Sequence, residues 1–281
     1  MSYQIITDAT ADMEWTQWDV TVIPMEVLVD LHPYRYGPGG DLSVKRFYDA
    51  LRAGAKASTS QITPYTFSCV FEGYLKKGID ILYFSFSSGM SGTFQSACTS
   101  AAELQKRYPA RKLLCIDTKS ASIREGFLVY EAARKKADGM DLETLSAWAT
   151  QQRGHIRCLF TLDDFDTLKR GGRISSATAL TGTALQVKPL LSFDEEGCLK
   201  LVGKVRGRRR AVNSLLDYFI QNRRPERGEL VLIGHGDCQP EAERLSRELQ
   251  TGFPEAQVLI TPIGPVIGAH TGPNMLSIAF W

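Results

Sequence analysis

Short apolar runs of strand length alternate with longer stretches of helical periodicity along almost the whole chain. The first half reads as strands at Gln4–Thr7, Val20–Val29, Ile81–Phe86 and Lys112–Ile116, with helices at Val44–Arg52, Pro64–Lys77, Thr93–Arg107, Ser122–Ala137 and Leu142–Arg153. Thr63 followed by Pro64 has the form of an N-cap with proline at the first helical position. Such alternation predicts a mostly parallel sheet covered by helices. The pattern then restarts with a strand at Ile156–Leu162. A hairpin follows, Val187–Phe193 and Leu199–Val205 around the turn Asp194-Glu195-Glu196-Gly197. Helices are expected at Arg209–Gln221 and Glu241–Leu249, and strands at Leu230–Ile233, Val258–Ile263 and Met275–Trp281. A boundary near Arg153 divides the chain into two α/β domains, 1–153 and 154–281. With no low-complexity linker between them, they are expected to pack directly, and ligand sites favour such junctions.

A chain of 281 residues, 43% of them hydrophobic, can build two cores of ordinary size. Its net charge of +2 gives no global attraction to nucleic acid. The charge is unevenly spread: residues 165–210 hold ten Lys/Arg against four acids, which predicts one basic face in the second half. The six cysteines form no C-x-x-C pair, so they read as buried, reduced thiols. The start of the chain lacks the basic region and apolar stretch of a signal peptide, and no apolar run is long enough to span a bilayer. A cytoplasmic location is expected, without stable membrane insertion, although transient contact with a membrane surface stays open.

Four constellations carry possible chemistry. In Ser85-Phe86-Ser87-Ser88-Gly89-Met90-Ser91-Gly92-Thr93 a buried strand enters a Ser/Gly-rich turn and then a helix. Unpaired N–H groups at the helix start, with hydroxyls added, suit a carboxylate or phosphate. Equally, Ser91 or Thr93 can simply cap the helix. The triplet Ser58-Thr59-Ser60, taken alone, reads as turn and cap chemistry. In Gly264–Pro273, His270 sits in a Gly/Pro-rich loop that suits a ligand-facing imidazole, and no acid lies close in sequence to orient it as a base. His235, at the end of a strand, is its best competitor. Finally, Lys169-Arg170-Gly171-Gly172-Arg173 and Lys204-Val205-Arg206-Gly207-Arg208 hold arginines beside glycines; they read as an anion-recognising surface or a solvated basic face. Nucleic acid is not indicated, because aromatics are not interleaved with these arginines.

Together these motifs resemble the DegV family, the fatty-acid-binding subunits of bacterial fatty acid kinase. The resemblance rests on Ile5-Ile6-Thr7-Asp8, Thr59-Ser60-Gln61, Ser87 through Ala97, Leu168 through Ile174 and Gly268-Ala269-His270-Thr271-Gly272-Pro273, in family order from end to end. Ile62, Ala9 and Asn274 depart from the family pattern, which usually has Pro, Ser and Gly there. The resemblance implies two α/β domains with a lipid pocket between them. It implies that Thr59, Ser91 and His270 bind the carboxyl group of one long-chain fatty acid, supported by Ser60, Gly92, Thr93 and Thr271. Apolar residues of the second half, such as Phe160, Leu180 and Ile263, are expected along the acyl tail. Arg173 and Arg206 are expected to be exposed and to dock the catalytic kinase subunit, which phosphorylates the bound carboxylate. ATP and metal belong to that partner, so no cofactor or metal is expected here, and the chain is read as an accessory subunit rather than an enzyme. The competing reading is a hydrolase or phosphotransferase using Ser91 or His235; it lacks a G-x-S-x-G elbow.

Overall fold

The structure is a computed structural model that describes residues 2–163, 165–174 and 186–281. Its first sheet is wholly parallel, in the order β2-β1-β6-β7, from β1 (Tyr3–Asp8), β2 (Val20–Ile23), β6 (Asp80–Ser85) and β7 (Leu113–Asp117). Every residue of β1 and β6 is buried, as expected of strands covered on both faces. The helices α2 (Pro64–Leu75) and α3 (Thr93–Arg107) pack together beside it, with Phe67 and Phe71 against Tyr83 of β6. Thr63 Oγ1 accepts the Thr66 amide at 3.2 Å, the cap read from the sequence.

Val20–Val29, expected as one strand, is two. Pro24 has no N–H to give to a ladder and marks the point where the chain leaves the first sheet. β3 (Met25–Val29) then forms a small antiparallel sheet, β4-β3-β5, with β4 (His32–Tyr36) and β5 (Ala57–Thr59), two strands the sequence did not reveal. Helix α1 (Val44–Arg52) connects β4 to β5.

The second large sheet departs from the parallel expectation. Its order is β10-β9-β8-β13-β11-β12, from β8 (Arg157–Thr161), β9 (Val187–Phe193), β10 (Leu199–Arg206), β11 (Leu230–His235), β12 (Gln257–Pro262) and β13 (Leu276–Phe280). Only β11 and β12 run parallel; β13 returns between β8 and β11, antiparallel to both. The β9–β10 hairpin closes through Gly197 at φ +79°, as its sequence predicts.

Helix α4 (Ser122–Ala137) joins the two large sheets. Eleven of its sixteen residues are buried. Phe127 and Leu128 share one core with Ile5, Leu82 and Phe84 of the first sheet and Phe160, Leu232 and Ala279 of the second. A helix buried nearly all round needs its polar groups satisfied. Arg124 donates to the carbonyls of Ile156 (3.0 Å), Arg153 (3.2 Å) and Lys119 (3.3 Å). Helix α5 (Leu142–Gln152) leads into β8, and the short α6 (Asp166–Arg170) follows it. Helices α7 (Arg208–Asn222) and α8 (Gln239–Gly252) cover β11 and β13 through Leu215, Phe219 and Leu245. The cysteines are all free, but they are not uniformly buried: Cys158 and Cys238 are, Cys69 is exposed, and Cys98, Cys115 and Cys198 lie between. Among the described residues, no helix is long and apolar enough to cross a membrane.

Candidate functional site

Between the sheets lies a cavity with about 780 Å³ of space free of atoms, part of it open to solvent. Apolar side chains from both halves line it, among them Met25, Phe86, Ile123, Phe160, Phe193 and Ile267. The residues singled out from sequence divide clearly against it. Thr59, Ser60, Ser91, Thr93, His270, Thr271 and Phe160 all line the cavity, and so does Arg173.

The Ser/Gly turn is held rigidly at its base. Asp117 accepts from the Ser88 amide (3.1 Å) and the Ser88 hydroxyl (2.6 Å), while Ser87 Oγ donates to the Gly197 carbonyl at 2.8 Å. A Cβ at Gly89 would stand 2.7 Å from the Glu196 carbonyl oxygen, so only glycine lets the hairpin tip approach this closely. Beyond it, Ser91 Oγ accepts the Thr93 amide at 3.2 Å and lies 2.9 Å from Thr93 Oγ1. Ser91, one residue before the N-cap Gly92, therefore holds the first helical amide and lines the cavity at once.

Thr59 is the last residue of β5 rather than part of a loop. Its Oγ1 lies 2.9 Å from His270 Nε2. His270 likewise is not in a loop: Pro265–Thr271 forms a short helix, α9, with His270 in its last turn. That helix packs on β5, β3, α1 and α6, so tertiary contacts impose a helix on a Gly- and Pro-rich sequence. Gln61 connects the two groups. Its amide sits where a Cβ on Gly92 would be, and its Nε2 donates to Ser96 Oγ at 3.4 Å. Thr59, Ser91 and His270 thus come from three distant segments to the lining of one cavity, with Thr59 and His270 in direct contact.

Burial, with a smaller contribution from the Arg173 guanidinium, pushes His270 down to about 4, so the imidazole is neutral at pH 7. Its Nδ1 is buried against Gly171 and has no partner among the described residues. An unpaired acceptor is tolerated better than an unpaired donor, which favours the tautomer with hydrogen on Nε2.

Proton counting then identifies which hydroxyls are free to meet a ligand. Ser122 donates to Asp12 (2.7 Å), Thr271 to the Ile267 carbonyl (3.2 Å) and Ser277 to the Gly234 carbonyl (3.2 Å). Thr10 is committed as well. Its single hydroxyl proton lies between Asp8 Oδ1 at 2.5 Å and Glu125 Oε2 at 2.9 Å. One of those carboxyls must therefore donate and be neutral; burial raises both, and Glu125 also feels the Asp8 charge. The Ser91–Thr93 pair holds two hydroxyl protons and uses one internally. The Thr59–His270 pair is in the same position. Each pair keeps one hydroxyl donor to offer a ligand, beside the Gln61 amide and the Arg173 guanidinium, in a cavity whose other lining side chains are largely apolar or already bonded. Such an arrangement fits an acceptor-only head group on an apolar chain.

Other expectations need correction. Ile263 does not line the cavity; it follows the last residue of β12 and packs beside Gly234 in the core, and an apolar residue type alone does not tell core from cavity. Leu180 lies outside the described residues. Arg206 is exposed at the end of β10, but Arg173 is only half-buried and its guanidinium donates to the Gly171 carbonyl beside His270. His235 is buried and outside the cavity, and burial lowers its pKa. Ser91, offered by the competing enzyme reading, is bonded to Thr93 and to no base among the described residues. Reading the sequence missed Gln61, Thr10 and Ser122 as lining residues; Gln61 lay inside a motif already noted, whereas nothing local marks the other two.

The fold and site define an α/β protein of two large sheets enclosing a cavity lined by both apolar and polar side chains. The chain belongs to the DegV family: the model described as "Uncharacterised protein, DegV family" matches residues 2–281. A DegV domain-containing protein of Clostridium perfringens is 35% identical over 281 residues, 99% of this chain and 97% of that protein. The DegV domain-containing protein YteA of Lactococcus lactis is 33% identical over the same shares. Among solved structures, a DegV family protein from Thermus thermophilus, described by its fatty acid binding, superposes with a TM-score of 0.87 at 28% identity, covering 99% of each chain. DegV of Bacillus subtilis, described as a fatty acid binding protein, gives 0.85 at 28% identity over 99% of this chain and 98% of that one.

Proposed function

We propose that the cavity holds one long-chain fatty acid, its carboxylate on Thr59, Ser91 and His270, and that the protein presents this carboxylate to a separate ATP-using kinase subunit that forms the acyl-phosphate. The observation that carries the reading is the pair of unspent hydroxyl donors, one on Ser91–Thr93 and one on Thr59–His270, lining a largely apolar cavity. His270 Nε2–H gives its hydrogen to Thr59, whose hydroxyl turns to one carboxylate oxygen; the Ser91–Thr93 pair supplies the other. Ser60, Gly92 and Thr93 shape this site, and Phe160 contacts the tail. The fatty-acid binding of the Thermus and Bacillus relatives supports the same ligand class.

The energetics agree. Each buried methylene contributes about 0.8 kcal/mol, so a long acyl chain supplies on the order of 10 kcal/mol before association costs. The head group needs only to be satisfied. No nucleophile or general base is required of this chain, which acts as a cytoplasmic carrier with no cofactor of its own. The two domains are 1–153 and 154–281, with the ligand between them. Arg206, exposed, and Arg173, beside His270, form the kinase-docking surface, and Arg173 also lends positive charge to the carboxylate. The test is a pair of measurements on the T59V, S91A and H270A variants: fatty-acid affinity alone, and acyl-phosphate formation with the partner kinase. Loss of about tenfold or more in affinity per variant supports the site. Unchanged affinity in all three refutes it.

A further inference from the structure

The cavity is separated from a second hollow by a very thin wall. A groove on the surface, lined by polar residues that include Lys119, Arg153 and Arg157, shares two residues with the cavity: Cys158 and Phe193. One side of each therefore faces the apolar interior and the other faces the groove. The direction of β8 sets where this wall stands. Its C-terminal end leads toward α6 and Gly171, against which His270 rests. Phe160 and Cys158 alternate onto one face of the strand, so Cys158 lies about 7 Å farther from that end than Phe160. The neighbouring strand ends beside it: Phe160 pairs with Leu191, and Ser192 Oγ donates to the Cys158 carbonyl at 2.7 Å. Phe193 follows, its ring 6.1 Å from that of Phe160, and Leu199 opposite it also lines the cavity.

Phe193 is supported from outside as well. The Arg124 guanidinium lies 5.2 Å from its ring centroid, and three backbone carbonyls fix that guanidinium in place. The ring is thus pressed between the cavity and a cation that cannot easily move.

We propose that Phe193 is the end wall of the cavity and sets the length of the acyl chain the protein accepts. This rests on the fatty-acid reading. A chain that reaches Phe193 stops there, and one that is longer must push the ring toward the groove and off the Arg124 guanidinium. Enlarging the space at this position opens the cavity into the groove; filling it shortens the cavity.

The test measures affinities of the delipidated protein for saturated fatty acids of increasing even chain length, in wild type, F193A, F193L and F193W. F193A is expected to gain roughly tenfold for acids about two carbons beyond the wild-type optimum, and F193W to lose the longest acids first. F193L falls between and carries the test if F193A folds poorly. A second readout needs no lipid. Cys158 is buried and its thiol is pushed up to about 12, so it reacts slowly with a maleimide. Peptide mapping should show faster labelling of Cys158 in F193A and F193L, and protection by a long acid. An unchanged length profile in folded variants overturns the proposal, as does an equal loss at every length. If the wild type binds no fatty acid of any length, the functional reading fails instead. The wall is then judged by Cys158 labelling alone, and labelling that F193A and F193L leave unchanged refutes it.

Discussion

Replacing Gly171 by alanine tests the carboxylate site through a residue that touches no ligand. Gly171 has φ −71°, a conformation alanine adopts freely, so the substitution carries no backbone strain. Its Cβ would lie under 3.0 Å from His270 Nδ1, 3.2 Å from Cε1 and 3.4 Å from Cγ, along one side of the ring. The imidazole must move by about an ångström to restore ordinary contact, and the 2.9 Å bond to Thr59 Oγ1 then breaks. Thr59 loses the donor that orients its hydroxyl. A hydrogen bond to a charged group is worth about 1.5–3 kcal/mol, so fatty-acid affinity should fall about ten- to hundredfold. Stability should change little, because alanine lowers the entropy of the unfolded chain by about 0.4–1 kcal/mol and offsets part of the clash. The assay is displacement of a fluorescent fatty acid, combined with thermal unfolding, in G171A, H270A and the double variant. The effects should be strongly non-additive, since both act through one imidazole. A G171A protein with wild-type affinity, or one that costs as much again in the H270A background, refutes the reasoning.

Asp12 should give the stability a pH dependence that D12N removes. Burial raises its folded pKa from 3.8 to about 7, so the stability linked to this group is fully present below about pH 4 and is lost as pH rises toward 7; the Tm of wild type relative to D12N should fall across that window, by the equivalent of a few kcal/mol. A Tm difference that stays flat from pH 4 to 7 contradicts it. Arg124→Met should destabilise by about 2–5 kcal/mol, read by denaturant unfolding, because the carbonyls of Ile156, Arg153 and Lys119 lose their donor in a buried setting; a cost below about 1 kcal/mol would show the bonds are replaceable. Arg206→Ala should leave fatty-acid affinity unaltered and lower acyl-phosphate formation with the partner kinase, more at low salt than at high; equal rates for variant and wild type at every salt concentration refute docking through this residue.

Much of this fold is legible because its elements are long and strongly periodic. Val44–Arg52 and Thr93–Arg107 are read to the residue, and the 187–206 hairpin to within one. What escapes is decided by tertiary contacts. β4 is His-Pro-Tyr-Arg-Tyr and largely exposed, and β5 has three residues, so neither carries an apolar alternation to detect. The helix bearing His270 is seven residues rich in Gly and Pro, stable only where packing supports it. The antiparallel β8–β13–β11 part of the second sheet follows from where the last strand inserts, a long-range choice that β13 itself does not encode. At the site, Thr59, Ser91 and His270 were visible as motifs, but not the proton counting that separates Ser91 from Ser122. Arg173 looked like a surface charge because glycines flank it; instead the chain turns there toward His270, and the guanidinium ends beside the cavity.

The central claim is that the cavity carries a fatty acid by its carboxylate. Purified full-length protein should be denatured, extracted and examined by mass spectrometry for released lipid and for covalent adducts. The account predicts about one long-chain fatty acid per chain, no acyl or phosphoryl group on Ser91 or His235, and loss of the lipid when Thr59, Ser91 and His270 are replaced together. A protein that releases no fatty acid and takes none up when it is supplied, or that carries an acyl or phosphoryl adduct on Ser91, contradicts it.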